Sequence, residues 1–453
     1  MAPRRPRRRP EPPRHRERRR PRRRRRPPRP RGDRVNGRIA DPSLWREGQD
    51  RIDWARGFMP ATASLAAELT ASGIVSGVRI AISDVLEPKT ATVALVLAEA
   101  GADVSVSCVG RNTDDAVAAA LAHAGLPVYA RSTDRAADDR ENVLSLLDHR
   151  PEVIIDDGAG TIRLAHTDRP RILDAMIGAT EQTTSGVRPL REMQRTGDLR
   201  IPVVAGNDAR TKSLFDNAHG TGQAVVLAVA DLIDESLAGA SVVVAGFGRV
   251  GSGVARHAAA LGARVTVSEV DPVAALQAAF AGFAVEPLIE AAAHADVLIS
   301  TTGVAGTIDV AHLAALPDGA AVAVGGGVGQ EIALDDARAA GAVEISRARK
   351  VSRLRLPSGR TVRVLDDGNC INVSAAEGNP VQIMDLSFGV QLAAVDHLIA
   401  SRGTLPPAVH TLPRDVDDRV ARHALASFGG AVDVPSAKQL AFLTSWRPSL
   451  DAD

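Results

Sequence analysis

The chain has 453 residues, and its 55 Lys+Arg and 54 Asp+Glu leave a net charge of +1. The charge is unevenly spread, because residues 1–34 hold 18 Arg against three acids, a net +15, which leaves −14 for residues 35–453. This acidic body is rich in Ala, Val, Leu and Gly, which excludes a disordered chain, and its length favours two domains.

Further classes of protein are excluded by what the sequence lacks. No unbroken apolar run reaches the roughly 18 residues that a membrane span needs, and no secretory leader follows the Arg run. The two cysteines give neither a disulfide framework nor a zinc cluster. We therefore expect a cytoplasmic protein without a membrane partner and without a metal site.

Residues 1–40 are predicted to form a disordered Arg/Pro-rich tail, for which three interpretations stay open. The tail could bind nucleic acid or another acidic surface by counterion release, or it could be a regulatory arm. It could also be translated from DNA upstream of the true start, with Val35 as a misread start. The tail has no aromatic residue for stacking, which disfavours nucleic acid as a partner, and the misassigned start is the favoured interpretation.

From Asp41 onward, short apolar runs alternate with helical periodicity. This alternation indicates βα units and a parallel sheet with both faces covered. The predicted elements are a helix over Gly48–Ser72, a strand over Val78–Ile82, a helix over Thr90–Ala100, a strand over Asp103–Ser107, a helix over Thr113–Ala124, a strand over Pro127–Ala130, a helix over Arg140–Leu147 and a strand over Val153–Asp156.

A second α/β series follows, and near Pro380 the chain returns to the first domain. Its predicted elements are helices over Ser213–Asp234, Val250–Leu261, Val273–Ala281 and, after the return, Gln391–Ser401, with strands over Ala240–Ala245, Arg264–Ser268, Asp296–Thr301 and Ala320–Val324. We therefore predict an α/β protein of two doubly wound parallel-sheet domains around a cleft. The first domain would comprise residues 41–210 and 377–411, the second residues 211–376, with a C-terminal segment over 412–453.

A glycine-rich turn in the second series predicts a dinucleotide site. Gly246, Gly248 and Gly251 follow a strand and open a helix, and Glu269 ends the next strand. Gly246 permits the tight turn, Gly248 lets the backbone approach a pyrophosphate, and Gly251 lets the helix pack closely. Glu269 can accept hydrogen bonds from a ribose 2′-OH and would repel a 2′-phosphate, which favours NAD over NADP. A plain Gly-rich turn is the alternative.

Lys212 is the strongest candidate for acid–base chemistry. The chain has only four lysines, so a lysine kept between polar turns suggests a need for a compact, titratable ammonium. Lys212 and Asp216 are four residues apart and would share one helix face. A surface ion pair is the alternative interpretation, but beside a nicotinamide Lys212 could take a hydroxyl proton as hydride leaves.

Taken together, these motifs resemble the S-adenosylhomocysteine hydrolase family from about Asp41 to His410. The resemblance implies a substrate domain and an NAD domain around a cleft, in a homo-oligomer that is a dimer or a tetramer. It also implies a redox-neutral cycle of 3′ oxidation, C4′ deprotonation, loss of the 5′ substituent, water addition and re-reduction. The stretches that carry it are Asp156–Gly158, Glu181–Val187, Asn207–Asp208, Thr211–Ser213, Phe215–Asn217, Ala245–Gly253, Glu269–Pro272, Ser300–Gly303, Asn372 and Val409–Pro413.

The resemblance also implies roles for single residues. Catalysis falls to Lys212, Asp216, Asp157 and Asn217. The nucleoside would be contacted by Asp157, Lys212, Asp216, Glu87, Gln182 and Asn379. NAD would be contacted by Thr183, Thr184, Ser185, Asn217, Gly246, Gly248, Arg249, Val250, Gly251, Glu269, Thr301, Thr302, Gly303 and Asn372.

Several family positions are changed in this sequence. The changes are Val85-Leu86-Glu87 for a His–Met–Thr segment, Gln182 for Glu, Thr221 for Cys, Ala274 for Asn, Gly327 for His, and Asn379 within a Gly-His-Pro segment. The C-terminal Lys and Tyr that reach a neighbour's NAD are not recognisable in Trp446–Asp453. NAD and 3′-oxidation residues are thus mostly kept, whereas residues that grip adenosine and its leaving group are mostly changed.

The leading hypothesis is therefore oxidation and elimination on another adenosine-like nucleoside. Loss of a hydroxyl would give a net dehydratase, which would suit nucleoside-antibiotic biosynthesis. Ordinary S-adenosylhomocysteine hydrolysis is one alternative, and an NAD-binding regulatory pseudoenzyme is the other. The retained Lys212 and Asp216 argue against the pseudoenzyme.

Overall fold

The structure is a computed structural model, and it describes residues 37–133, 135–326 and 330–446. Gly327, most of the predicted tail and the last seven residues lie outside the described residues. Residues 37–40 were assigned to the tail, but Arg38 bonds to Val128 and pairs with Tyr129. The described part of the chain from Arg38 therefore already belongs to the folded body.

The described residues form fifteen strands in two sheets. In chain order they are β1 Arg79–Ser83, β2 Asp103–Ser107, β3 Val128–Tyr129, β4 Val153–Asp156, β5 Gly178–Glu181, β6 Val203–Ala205, β7 Ser241–Ala245, β8 Arg264–Ser268, β9 Ala284–Val285, β10 Val297–Ser300, β11 Ala321–Val324, β12 Val343–Ala348, β13 Val351–Arg355, β14 Thr361–Leu365 and β15 Val409–Thr411.

The first sheet is parallel throughout, in the order β15-β6-β5-β4-β1-β2-β3. Its central strands are buried along almost their whole length, as expected when helices cover both faces. β15 comes from the chain after the second sheet. Two separated stretches of sequence therefore build this sheet, and the α/β fold class is confirmed.

The second sheet has the order β12-β13-β14-β11-β10-β7-β8-β9 and differs from the prediction at one edge. β12, β13 and β14 pair antiparallel, so the sheet is mixed and not purely parallel. Arg349 and Lys350 join β12 to β13 with φ of 48° and 62°, and two such residues form the type I′ turn that suits a tight hairpin. The sequence pattern missed this turn because neither residue is Gly, Asn or Asp.

Helices cover both sheets. The α-helices are Trp45–Arg56, Pro60–Ser72, Pro88–Glu99, Asp115–His123, Ala136–Asp148, Gly160–Asp168, Thr184–Thr196, Arg210–Lys212, Gly222–Ile233, Arg249–Ala260, Pro272–Phe280, Leu288–Ala292, Val310–Ala315, Leu334–Ala339, Ile371–Ser374, Val381–Ala400, Arg414–Ser427 and Ala437–Thr444, and Ser213–Thr221 is a π-helix. The predicted helix Gly48–Ser72 is two helices, because Pro60 lacks the N–H that an unbroken helix would need.

The helix Val381–Ala400 is much longer than the predicted Gln391–Ser401. Among the described residues it is the one helix long and apolar enough to cross a membrane. Of its apolar 18-residue stretch, 72% is buried inside the protein. Its sequence contains Asp385, Ser387 and Gln391, all buried. These polar residues break the apolar run, and the structure uses the helix as core against the first sheet.

Candidate active site

Polar side chains collect where the strands of the first sheet end. β1, β4, β5 and β6 are neighbours, and their last residues are paired in register. Since the carboxyl ends of parallel strands meet at one edge of a sheet, the residues that end or follow these strands come together there. They are Asp84, Asp156, Asp157, Glu181, Gln182 and Asn207.

Lys212 is the cation of this edge, and it is only 5% exposed. Its Nζ donates to Oδ1 of Asn217 at 2.6 Å and to Oδ1 of Asn207 at 3.3 Å. Oδ2 of Asp216 lies 3.5 Å from the same Nζ. The pair expected from the four-residue spacing therefore exists, and its burial excludes the surface ion pair that was the alternative.

The segment that carries these residues departs from α-helical geometry. Arg210–Lys212 is a short α-helical piece, and Ser213–Thr221 continues it as a π-helix, in which N–H groups bond five residues back. The wider turn brings both the fourth and the fifth residue after Lys212 to its ammonium. A period of 3.6 residues predicted the Asp216 contact and missed the Asn217 contact.

Asp216 is held by two more residues. Nδ2 of Asn379 donates to Oδ1 at 2.7 Å, and the Ser387 hydroxyl donates to Oδ2 at 2.5 Å. Oδ1 of Asn379 accepts from Nδ2 of Asn372 at 3.4 Å. Residues from the chain after the second sheet thus fix the carboxylate beside Lys212.

Thr184 joins the same network from the start of its helix. Its Oγ1 donates to Oδ1 of Asn207 at 3.2 Å, and Nδ2 of Asn217 lies 3.4 Å from that hydroxyl. Nδ2 of Asn217 also donates to Oδ1 of Asn207 at 3.1 Å. Asn207 is therefore the hub that links a predicted NAD contact, Thr184, with the predicted catalytic residues.

Asp157 is the carboxyl of this edge that stays partly exposed. Burial raises the pKa of Asp157 to about 6, the nearby Lys212 ammonium opposes that rise, and Asp216 adds to it. Its neighbour Asp156 is buried, and burial raises the pKa of Asp156 to about 7 although Oδ2 accepts the Ile162 N–H at 2.8 Å. Asp157 can therefore change protonation state near neutral pH.

Glu181 organises the two turns beside it. Its carboxyl accepts N–H bonds from Gly158 at 2.9 Å, Ala159 at 2.8 Å and Thr183 at 2.8 Å. A Cβ on Gly186 would lie 2.4 Å from Cδ of Glu181, so only glycine lets the chain pass there. Burial is the main reason that the pKa of Glu181 is raised well above its usual value.

Glu87 and Lys89 form an ion pair of 2.6 Å on the flank of the site. Nζ of Lys89 also donates to the carbonyl oxygens of Glu377 at 3.1 Å and Asn379 at 3.0 Å. All three ammonium donors are thereby used. Burial raises the pKa of Glu87 to about 7 against the opposing effect of Lys89.

Gln182, predicted to contact the nucleoside, is bonded to the core helix Val381–Ala400. It is buried, and its Oε1 accepts from Nε2 of Gln391 at 3.1 Å, while Oε1 of Gln391 accepts from the Thr180 hydroxyl. The structure thus ties Gln182 into a chain of amides against the core helix. Within the part of the chain that the structure describes, no hydrogen bond joins the Gln182 side chain to the Lys212 network, and the role of Gln182 toward the nucleoside stays a prediction.

The glycine-rich turn of the second sheet has the predicted geometry. Gly246 has φ of +97°, which favours glycine. A Cβ on Gly251 would lie 2.0 Å from the Gly246 carbonyl oxygen and 2.7 Å from Oγ1 of Thr301, whereas one on Gly248 would meet nothing within 4 Å. Gly248 therefore faces open space, as a pyrophosphate cradle requires.

Glu269 and the threonines surround that turn. Oε2 of Glu269 accepts the Phe247 N–H at 2.6 Å, which sets its carboxylate beside the glycines at the end of β8. The Thr301 hydroxyl donates to the Ala245 carbonyl oxygen at 2.9 Å. Arg249 begins the helix Arg249–Ala260, and its first N–H groups favour phosphate. These residues fit NAD: the turn and helix would hold the pyrophosphate, and Glu269 the ribose.

The remaining predicted NAD contacts lie around the cleft. Thr302 donates from its N–H to Glu331 at 3.1 Å, and Gly303 has φ of +65°. Thr183 and Ser185 flank Thr184 at the start of the helix Thr184–Thr196. Asn372 is buried and bonds to Asn379. The structure supplies these positions, and their roles toward NAD stay predictions.

A close helix crossing joins the two sites. A Cβ on Gly253 would lie 2.0 Å from the Ala218 carbonyl oxygen, and one on Gly222 would lie 2.6 Å from the Gly253 carbonyl carbon. The π-helix with Asp216 and Asn217 therefore packs backbone to backbone on the helix that follows the glycine-rich turn. The reacting side chains and the predicted dinucleotide turn are positioned by one contact.

Sequence reasoning did not assign a role to several residues of the site. Asn207 lay in a recognised Asn-Asp motif and could have been chosen, but Lys89, Ser387 and Asp84 carried no motif. Ser387 is 171 residues from its partner Asp216, so only the fold shows the pairing. Asp84 follows β1 and is buried.

A lysine network beside a dinucleotide cradle defines a nucleotide-cofactor-dependent enzyme. Comparison with known families agrees with this class. Residues 36–170 match the family model described as S-adenosyl-L-homocysteine hydrolase, and residues 217–378 match its NAD-binding domain. The chain belongs to the S-adenosyl-L-homocysteine hydrolase family, and it is an adenosylhomocysteinase-like enzyme with NAD as cofactor.

Curated relatives cover most of the chain. It is 40% identical to the adenosylhomocysteinase of Thermotoga maritima over 88% of this chain and 99% of that one. It is 40% identical to the adenosylhomocysteinase of Thermococcus kodakarensis over 90% of this chain and 97% of that one. It is 38% identical to the S-inosyl-L-homocysteine hydrolase of Methanopyrus kandleri, again over 90% and 97%.

Proposed function

We propose that this protein hydrolyses S-adenosylhomocysteine to adenosine and homocysteine. The observation that carries the proposal is the buried network of Lys212, Asp216 and Asn217, with the partly exposed carboxyl of Asp157 at the same sheet edge. The names of relatives at 40% identity support this substrate. Ordinary S-adenosylhomocysteine hydrolysis was the alternative to the dehydratase hypothesis drawn from the sequence, and it is preferred here.

We propose that Lys212 takes the proton of the ribose 3′-hydroxyl as a neutral amine, and that the ammonium so formed returns the proton when the 3′ carbon is reduced again. Asn217 and Asn207 occupy two of its donors through their oxygens, which fixes Nζ in one position. Asp216 balances the ammonium charge and is itself fixed by Asn379 and Ser387. Bound NAD would supply the reversible oxidation of the 3′ carbon.

Asp157 is proposed to take the C4′ proton, which the neighbouring ketone makes acidic. A base of this kind works best with a pKa close to the working pH, and the pKa of Asp157 is raised to about 6 by burial. Loss of the 5′ thiol, addition of water, return of the C4′ proton and re-reduction of the 3′ ketone then complete the reaction. The net change is cleavage of one C–S bond by one water.

The flank formed by Glu87 and Lys89 supports adenine as the base. Lys89 has no donor left for a carbonyl oxygen of hypoxanthine. Ionised Glu87 can accept from the adenine amino group. Relatives named S-inosyl-L-homocysteine hydrolase make hypoxanthine the natural competing base to test.

The amino-acid end of the substrate has a suitable neighbourhood. A cavity of about 970 Å³ borders Gly158 and Ser185 and is lined by loop and helix residues of both domains. Five arginines line it, of which two are paired, Arg191 with Asp208 and Arg195 with Glu192. The others, Arg111, Arg163 and Arg188, leave positive charge for a carboxylate.

The dehydratase of nucleoside-antibiotic biosynthesis finds no support in these comparisons. The relatives at 35–41% identity carry hydrolase names. Val85 and Asn379 are changed positions that suggested another substrate. The Lys212 network beside them nevertheless keeps Asn207, Asp216 and Asn217 in contact with the ammonium. We therefore keep the hydrolase and treat dehydration as an outcome of the assay.

The test is release of free thiol from S-adenosylhomocysteine by the NAD-loaded protein, with S-inosylhomocysteine in parallel. We expect homocysteine and adenosine in equal amounts, and faster turnover of the adenine substrate. Faster turnover of the hypoxanthine substrate would reassign the base. A 4′,5′-unsaturated product from adenosine, without thiol release from either thioether, would overturn the hydrolase proposal.

We further propose that the protein is a dimer or tetramer. The helix Pro272–Phe280 exposes Val273, Leu276 and Phe280 at 62%, 57% and 87%. These residues follow one helical stripe, and exposed apolar patches mark contact sites. Light scattering of the full chain should give a mass of two or four subunits, and a single-chain mass would contradict the proposal.

A further inference from the structure

One carboxyl at the strand ends lacks a role in the proposed reaction. Asp84 directly follows β1, and the last residue of β1, Ser83, is paired with Ser107 of β2 and Asp156 of β4. The Asp157 N–H donates to the Ser83 carbonyl oxygen at 3.0 Å. Asp84 therefore stands between the strand ends that carry Cys108 and Asp157.

The Asp84 side chain is 7% exposed, and its hydrogen bonds are incomplete. Oδ1 accepts only the N–H of its neighbour Val85, at 2.7 Å. Oδ2 is buried without a hydrogen-bond partner among the described residues. An orphaned carboxylate oxygen is costly in such a place, whereas a carboxylic acid brings its own donor.

The other buried acids of this edge are satisfied. Asp156 accepts the Ile162 N–H, Glu181 accepts three N–H groups, and Asp216 accepts from Asn379, Ser387 and the Lys212 ammonium. Asp84 alone among these has no donor from another segment. Among the described residues, an ionised Asp84 has only the Val85 N–H as a hydrogen-bond donor.

The charges around Asp84 are all of one sign. Burial raises the pKa of Asp84 well above its usual value, and the charges of Asp157 after β4, Glu87 on its own segment and Asp156 at the end of β4 add to that rise. The titratable group just after β2 is the Cys108 thiol, whose pKa burial raises to about 12. The two nearby ammonium groups are engaged elsewhere, Lys89 with Glu87 and Lys212 with Asp216.

We propose that Asp84 and Asp157 act as a carboxyl pair that holds one proton, with Asp84 as the acid that protonates the departing 5′ substituent. Two carboxyls that share a site cannot both ionise easily, so one keeps its proton. Asp157 is the more exposed member and is the base. This inference rests on the proposed function, because the departing sulfur of that reaction is the group that accepts the proton of Asp84.

The proton balance closes within the pair. In the elimination, Asp157 takes the C4′ proton, the C–H electron pair forms the C4′–C5′ double bond, and the C5′–S bond breaks with its electrons on sulfur. Asp84 gives its proton to that sulfur. When water adds, its oxygen bonds to C5′, its proton returns to Asp84, and Asp157 returns its proton to C4′. The pair holds one proton before and after each half.

The test is Asp84→Asn, which keeps shape and removes the acid. We expect homocysteine release to fall about 10²-fold, the lower end of what general acid catalysis contributes. The fall of the rate at alkaline pH, which marks ionisation of Asp84, should disappear. Formation of the 3′-ketone, followed by reduced-nicotinamide absorbance, should change by less than about threefold because it precedes the acid step.

Two controls separate this result from damage to the fold. Asp103→Asn changes an exposed acid at the start of β2 and should leave the whole pH profile in place. Asp84→Ser removes the acid with a smaller side chain, and it should repeat the loss and the missing alkaline limb if Asp84→Asn folds poorly. Retained NAD and an unchanged unfolding temperature check folding.

The outcomes distinguish this inference from the proposed function. If Asp84→Asn releases homocysteine at the normal rate with an unchanged alkaline limb, the pair is wrong while the hydrolase stands. If the unmodified protein releases no homocysteine, the proposed function itself is wrong. An equal loss of 3′ oxidation and thiol release would make Asp84 a structural residue and also overturn the inference.

Discussion

The two halves of the site are built by different means. The glycine-rich turn of the second sheet depends on glycines that leave no room for a side chain, since a Cβ on Gly251 would lie 2.0 Å from the Gly246 carbonyl oxygen. The strand ends of the first sheet work through charge, with five carboxyls and the single ammonium of Lys212 held within one edge (Asp84, Asp156, Asp157, Glu181 and Asp216). The first half depends on shape, and the second on where protons are held.

This difference explains which half tolerates change. A turn fixed by backbone contacts allows little variation, and its motif survives in the sequence. A set of buried carboxyls can exchange a proton carrier for another nearby, because burial and like charges shift the pKa of whichever acid is present. Val85 stands where the family has His, and the adjacent Asp84 is the acid proposed to carry the proton instead. The same contrast predicts how each half fails.

The largest effect is expected from Lys212→Met, which removes the only ammonium of the Asp216 and Asn217 network. The 3′ oxidation would lose its proton acceptor, and Asp216 would be a buried carboxylate without its cation. We expect turnover to fall by about 10³-fold or more, the range of a general base. Stopped-flow absorbance of reduced nicotinamide measures the step directly.

The matched control is Lys438→Met, since Lys438 is exposed on the helix Ala437–Thr444. It should keep normal turnover and NAD content. Ketone formation at the normal rate in Lys212→Met would contradict the assignment, and proton transfer would then have to be sought elsewhere in the network.

The next effect separates shape from ligand contact within the glycine-rich turn. Gly251→Ala forces the backbone apart, so we expect unfolding of the NAD-free protein to become easier by about 1–3 kcal/mol and NAD affinity to fall about 10²-fold. Gly248→Ala meets no protein atom within 4 Å. It should keep the stability of the NAD-free protein and still weaken NAD binding.

Thermal unfolding without NAD and titration with NAD measure the two effects separately. Gly160→Ala is the control, because this glycine begins a helix and its Cβ would also meet nothing within 4 Å. It should leave NAD affinity unchanged. Equal loss of stability in Gly248→Ala and Gly251→Ala would mean that open space at Gly248 is not reserved for a ligand.

The same contrast shows how much the sequence could predict. Strands Asp103–Ser107, Val153–Asp156 and Arg264–Ser268 have the predicted bounds, because buried parallel strands are continuous apolar runs. The glycine positions follow from local backbone geometry. By contrast, the bond from Asn379 to Asp216 spans 163 residues, and the π-helix that aligns Asn217 has no pattern in sequence. Long-range partners and protonation require the fold.

The third effect is a fall of turnover at low pH. Asp157 must be ionised to accept a proton, and its pKa is raised to about 6 by burial. Turnover should therefore fall as pH drops through about 6, by roughly tenfold for each further pH unit. Initial rates of thiol release between pH 5 and pH 8 measure this limb, which the Asp84→Asn variant should keep.

Acid unfolding is not the expected cause of that fall. The folded-state pKa values of Asp156, Asp157 and Glu87 are raised, so their contribution to stability is full below their unfolded values near 4 and is lost as pH rises toward 7. The unfolding temperature at pH 5 should show no loss from these groups. A rate that stays flat down to pH 5 would contradict Asp157 as the base.

The smallest effect is expected at the flank of the nucleoside. Glu87→Gln removes the charge that pairs with Lys89 at 2.6 Å, and it replaces one carboxylate oxygen by an amide donor. Release of Lys89 and an added donor should favour the carbonyl oxygen of hypoxanthine over the amino group of adenine. One hydrogen bond of this kind is worth about 1 kcal/mol, so we expect the ratio of kcat/KM for the two bases to shift about fivefold.

Thr221, which contacts Asn379 without touching the pair, provides the comparison, and Thr221→Ser should leave the ratio unchanged. A ratio that Glu87→Gln does not move would separate the ion pair from base recognition and leave it as a support for the carbonyl oxygens of Glu377 and Asn379.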